Sequence, residues 1–81
     1  MRVTVLHFAE MRELTGAHTD RLDLPQSSTV GDAWNELLLL HPGLKSLAIK
    51  PLPAVDHNFA PWDSRLHEGA ILAFLTPMGG G

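Results

Sequence analysis

The chain opens on Arg2-Val3-Thr4-Val5-Leu6-His7-Phe8, a run rich in β-branched and aromatic side chains that predicts a first strand. Residues two apart share a face of a strand, so Val3 and Val5 face one side while Leu6 and Phe8 face the other. Ala9 to Leu14 reads as a short helical turn ended by Gly16, because glycine enters the left-handed conformation at a helix C-terminus without steric cost. A second strand over His18 to Leu24 is closed by Pro25. The pattern then changes period. Val30, Ala33, Trp34, Leu37, Leu38 and His41 recur three and four apart and mark one face of the main helix. Ser28 or Thr29 can cap its free N–H groups, Asp32 completes an approximate capping box with Thr29, and Pro42-Gly43 ends the helix near His41.

Leu44 to Ile49 fits a further helical turn. Pro51 and Pro53 bracket a short extended piece leading to Ala54 and Val55, Asp56-His57-Asn58 reads as a turn, and Pro61 to Gly69 as an irregular crossing. Ala70 to Leu75 is a nearly unbroken apolar run, which suits a last strand buried in the middle of a sheet and parallel to the first. One long helix on one face of a mixed sheet of four to five strands is an α+β arrangement with the wiring of a β-grasp, or ubiquitin-like, fold. The domain is expected over 1–75, with 76–81 as a flexible tail.

Both faces of the last strand are apolar: Ile71, Ala73 and Leu75 on one, Ala70, Leu72 and Phe74 on the other. A single amphipathic helix covers one of them. The other is left to loops such as Leu44 to Ile49 and Phe59 to Trp62, or to a second protein.

Size and composition narrow the function. A chain of 81 residues with 44% hydrophobic content supports one core and leaves no room for a nucleotide-binding domain or a deep cleft. A net charge of −3 with scattered basic residues argues against nucleic acid. The absence of cysteine excludes thiol nucleophiles and thiolate metal sites. His7, His18, His41, His57 and His67 show no metal-ligand spacing, so no metal is expected, and His41 is read as complementing the negative end of the helix. Asp63 and Glu68 are read as solvated loop charges. No run reaches membrane-spanning length and the N-terminus lacks a signal pattern, so a cytoplasmic protein without a membrane partner is expected.

The remaining candidate is the end of the sequence, Leu75-Thr76-Pro77-Met78-Gly79-Gly80-Gly81. Glycines add nothing to a core and raise the entropic cost of order. A terminal glycyl carboxylate is, however, sterically open and can thread a narrow channel, which suits activation by ATP and transfer to a nucleophile. In isolation the same run reads rather as a frayed tail without a role.

Three segments set the tail in context. Phe8-Ala9-Glu10-Met11-Arg12-Glu13-Leu14-Thr15-Gly16, Ala54-Val55-Asp56, and the stretch from Leu66-His67-Glu68-Gly69 through Phe74 and Pro77 to Gly81 follow one another in a familiar order. With them the chain resembles, over its whole length, the small subunit of molybdopterin synthase, the MoaD family of ubiquitin-like sulfur carriers. It departs from that family's pattern at Asp56, where asparagine is usual, at Ala70-Ile71, where an acidic pair is usual, and in its third terminal glycine.

The resemblance implies a carrier whose Gly81 carboxylate is adenylated by an E1-like enzyme and converted to a thiocarboxylate by a sulfur donor. The sulfur then passes to a pterin precursor in the synthase large subunit, within a heterotetramer. It also implies that Pro77, Met78, Gly79 and Gly80 thread the partners' channels and that Phe8, Arg12, Phe74 and Leu75 lie at partner interfaces. No cofactor is held permanently, ATP acting only in the activating step, and the catalytic side chains belong to the large subunit. A carrier for thiazole or cysteine synthesis and a ubiquitin-like binding module with an inert tail are the alternatives.

Overall fold

The computed structural model describes residues 1–77. Its first strand, β1 (Arg2–Leu6), stops two residues short of Phe8, and α1 (Ala9–Thr15) follows, ended by Gly16 at φ 71° with its N–H donating to the Arg12 carbonyl. Strand β2 (Thr19–Asp23) returns antiparallel to β1, pairing Val3 with Leu22 and Val5 with Asp20. The main helix, α2 (Val30–Leu40), begins with the predicted capping box: the Thr29 side chain accepts from the Asp32 N–H while the Asp32 carboxylate accepts from the Thr29 N–H. Two otherwise free donors are thereby satisfied.

Pro42 has no N–H to lose, and from it a 3-10 helix runs over Pro42–Ser46, where the Ser46 hydroxyl donates to the Gly43 carbonyl. The helical turn expected over Leu44 to Ile49 therefore starts two residues earlier and ends sooner. Strands β3 (Leu52–Val55) and β4 (Asn58–Phe59) form a hairpin across Asp56 and His57, whose φ values of 48° and 71° give a two-residue turn that matches strand twist. Strand β5 (Ile71–Leu75) completes a five-stranded sheet in the order β2-β1-β5-β3-β4, parallel to β1 and antiparallel to β3. The last strand is thus interior, and the expected β-grasp architecture is the one observed.

Alternation fixes which side chains build the core. Val3, Val5, Leu22, Leu72 and Phe74 meet Val30, Ala33, Trp34 and Leu37 of α2 in one buried cluster. Leu44 joins that cluster from the 3-10 helix, and Trp62 stacks on Phe74 at 5.6 Å between ring centroids while Trp34 lies 5.0 Å from Phe74. Leu44 and Trp62, from the two loops considered as cover for the far side of the sheet, therefore pack on the helix side instead.

Candidate functional site

The face of the sheet away from α2 carries an apolar band. Leu52 pairs with Leu75, Ala54 with Ala73, and Ala73 in turn with Leu6, so these side chains line up across three strands. Leu52 is 51% exposed and Ile71 also stands in solvent, beside half-buried Leu6, Ala73 and Leu75. Because β5 is the middle strand of the sheet, the chain leaves Leu75 at the end of this band. Thr76 and exposed Pro77 then line a shallow groove with Glu10, Ala48 and Ile49.

The site residues expected from the sequence separate into three groups. Leu75 is half-buried at the end of the band, and Phe8, 47% exposed, follows the parallel strand β1. Arg12 is exposed on α1, its guanidinium 3.4 Å from Nδ1 of His18. Phe74 is the correction: at 1% exposure it is a core side chain between Trp34 and Trp62, because it shares the inward face of β5 with Leu72. Its ring cannot line a partner surface. Met78, Gly79, Gly80 and Gly81 lie outside the described residues.

A polar clamp fixes the start of β5 against the β3–β4 turn. The Ile71 N–H donates to Oδ1 of Asp56 at 2.9 Å, the Asp56 N–H donates back to the Ile71 carbonyl, and Nε2 of His67 donates to Oδ2 of Asp56 at 2.6 Å. The Ile71 N–H and then the His67 imidazole hold the Asp56 carboxyl below its ordinary range. Conversely, the Asp56 carboxylate, helped by the Glu68 carbonyl on Nδ1, holds the His67 imidazole above its ordinary value. Asp56, which departs from the family pattern in the sequence, is thus a turn residue tied to the central strand. Nearby, Glu68 is more than a solvated charge, since its carboxylate accepts from the Arg2 N–H at the start of β1.

One cluster was missed by spacing along the chain. His7, just past β1, Asp20 in β2 and His41 at the end of α2 converge on the core side of the sheet, with both imidazole Nε2 atoms 2.7 Å from Oδ2 of Asp20. His41 is the C-terminal cap of α2, as the helix boundary predicts, but its ring is directed to Asp20. Burial pushes the Asp20 carboxyl up, yet the hydrogen bonds from His7 and His41 outweigh it and the carboxyl stays below its ordinary value. The available signal was parity: Val3, Val5 and His7 share one strand face, Leu24, Leu22 and Asp20 another, and His41 continues the Leu37 stripe.

No helix among the described residues is long and apolar enough to cross a membrane. The chain is 30% identical to the molybdopterin synthase sulfur carrier subunit of Arabidopsis thaliana, over 100% of this chain and 84% of that protein. It is 29% identical to the human protein of the same name, over 99% and 94%. Its structure superposes on the crystal structure of SAMP1, a small archaeal modifier protein of Haloferax volcanii, with a TM-score of 0.90 and 28% identity over the full length of both chains. The ThiS family model matches residues 5–81, and the chain belongs to that family of ubiquitin-like sulfur carriers.

Proposed function

We propose that this protein carries sulfur as a thiocarboxylate on Gly81 and delivers it to a pterin precursor in the synthesis of molybdopterin. A carboxylate oxygen of Gly81 attacks the α-phosphorus of ATP in an E1-like enzyme and pyrophosphate leaves. A donor's sulfur then replaces AMP at the acyl carbon. Pro77, Met78, Gly79 and Gly80 thread the partner's channel, where the lack of Cβ atoms in the glycines lets the backbone pass. Phe8, Leu75 and Arg12 contact the synthase large subunit in a heterotetramer, and the setting is the cytoplasm. The observation that carries this reading is the family match over residues 5–81. It is supported by full-length likeness to two proteins named as molybdopterin synthase sulfur carrier subunits and by an interior strand that ends on an uncovered apolar band.

The test is incubation with the activating enzyme, ATP and a sulfur donor, followed by intact-mass and fragment analysis. One oxygen-to-sulfur exchange at the last residue is expected. Deletion of Gly81 should abolish it while leaving the fold intact, whereas a binding module with an inert tail would lose nothing.

The likeness to SAMP1 favours a second reading, that of a modifier joined through the same acyl carbon to an amine of another protein. The two readings share activation and diverge at the acceptor. Adducts that survive thiol treatment and carry the Gly81 carbonyl on a lysine would favour the modifier.

A further inference from the structure

The cluster at the end of α2 has a chemistry that sulfur transfer through the tail does not use. We propose that His7, Asp20 and His41 form a binding site for one divalent transition-metal ion, with zinc as the best-matched cation. Their three donor atoms lie within 4.8 Å of one another and come from the end of β1, from β2 and from the end of α2, so the rest of the fold already positions them. Two imidazole nitrogens and one carboxylate oxygen form a donor set suited to zinc, cobalt, nickel or copper, and too poor in oxygen for magnesium or calcium.

Charge favours the same assignment. Among the described residues, the ionic partners of Asp20 are these two histidines, and no lysine or arginine neutralises it. In the hydrogen-bonded arrangement each imidazole donates its Nε2–H to the same carboxylate oxygen. His7, whose side chain is fully buried, then keeps an Nδ1 atom with no hydrogen-bond partner. Carrying the proton of each ring on Nδ1 instead frees two Nε2 lone pairs directed at Oδ2. For His7 that shift exchanges an unpaired buried acceptor for an unpaired buried donor, so the ring bears an orphan atom in either state.

The geometry needs side-chain shifts of about an ångström or less to reach zinc's ligand spacing. Tetrahedral zinc with bonds of about 2.0–2.1 Å places its ligand atoms roughly 3.3 Å apart, against the 2.7 Å between each nitrogen and the oxygen here. Room for the ion comes from Oδ2 of Asp20 drawing back from each nitrogen by about half an ångström, while the two nitrogens, at most 4.8 Å apart, settle at the same spacing of roughly 3.3 Å. Asp20 and His41 are 21% and 19% exposed and form the rim, through which an ion enters and a water completes the coordination. Bound there, the ion ties the end of α2 to the β1–β2 pair and acts as a structural clip.

The full chain, freed of metal by chelator, is titrated with cobalt, whose visible absorption reports tetrahedral coordination, and then with zinc. The expected result is one equivalent bound, with the imidazole NMR signals of His7 and His41 perturbed and Nδ1-protonated while those of His18, His57 and His67 stay in place. His41→Gln and Asp20→Asn should each weaken binding by at least about tenfold, and His57→Ala with His67→Ala should leave it unchanged. Absence of binding at about millimolar cobalt, far weaker than a structural site, would overturn the proposal. So would binding that perturbs only the exposed histidines. The NMR readout on the wild-type chain decides the matter even if a variant fails to fold.

Discussion

The two faces of the sheet are built from the same kinds of side chain and have different fates. On the inner face Val3, Val5, Leu72 and Phe74 are sealed under α2, Trp62 and Leu44. On the outer face Leu6, Leu52, Ile71 and Leu75 form a band that no segment among the described residues covers fully. The inner face spends its apolar surface on stability. The outer face keeps its surface available, and the chain leaves β5 at Leu75, at the end of the band. A substitution should therefore unfold the protein on one side and disconnect it from its partners on the other.

The largest effect is expected at the inner face. Phe74→Ala removes the ring between Trp34 and Trp62 and should cost about 3–5 kcal/mol in denaturant unfolding, as for other buried aromatic deletions. A loss below about 1 kcal/mol would mean that the ring is not the closed core side chain described here. Next in size, Phe8→Ala and Leu75→Ala should each weaken binding to the large subunit by more than about 1–2 kcal/mol, the range of an apolar anchor. Their unfolding free energies should change less than that of Phe74→Ala. Wild-type affinity in both variants would remove the outer band from the proposed interface.

Thr29→Ala tests what the inner face owes to α2 itself. Removing the hydroxyl that accepts from Asp32 should lower stability by about 1 kcal/mol without altering partner binding. The smallest effect concerns the clamp that joins β5 to the β3–β4 turn. The His67 imidazole should titrate above its ordinary 6.5, and Asp56→Asn should bring the midpoint back toward that value in NMR. Because the folded His67 midpoint is raised, its contribution to stability is complete below pH 6.5 and is lost as pH rises through that midpoint. Asp56 behaves in the opposite sense. Its folded midpoint is lowered, so its contribution is present above pH 3.8 and is lost as pH falls through the folded value. An unshifted His67 titration would break the clamp argument.

The parts of the fold that sequence made legible are those governed by local periodicity. The stripe Val30, Ala33, Trp34, Leu37 gave α2, Thr29 and Asp32 gave its start, and the apolar run Ala70 to Leu75 gave a central strand, observed from Ile71. Boundaries were less legible. Phe8 has strand propensity, yet β1 ends at Leu6, and Phe8 instead accepts from the Met11 N–H as the residue capping α1.

The candidate site was legible in chemistry more than in placement. Phe74 was put at the interface although its parity with Leu72 sends it inward, and here the alternation was the better guide. The His7, Asp20 and His41 cluster escaped because its members are 13 and 21 residues apart along the chain, and only the β1–β2 register with the α2 packing joins them. Polar residues at inward positions were the signal, and ligand-spacing rules do not look for it.

The central claim is that the last residue's carboxyl group is the working group. It is tested most directly by the mass of that residue after incubation with activating enzyme, ATP and sulfur donor. The account predicts replacement of one oxygen by sulfur at Gly81 and nowhere else. An unchanged Gly81, with a partner enzyme shown to be active on another carrier, would contradict it.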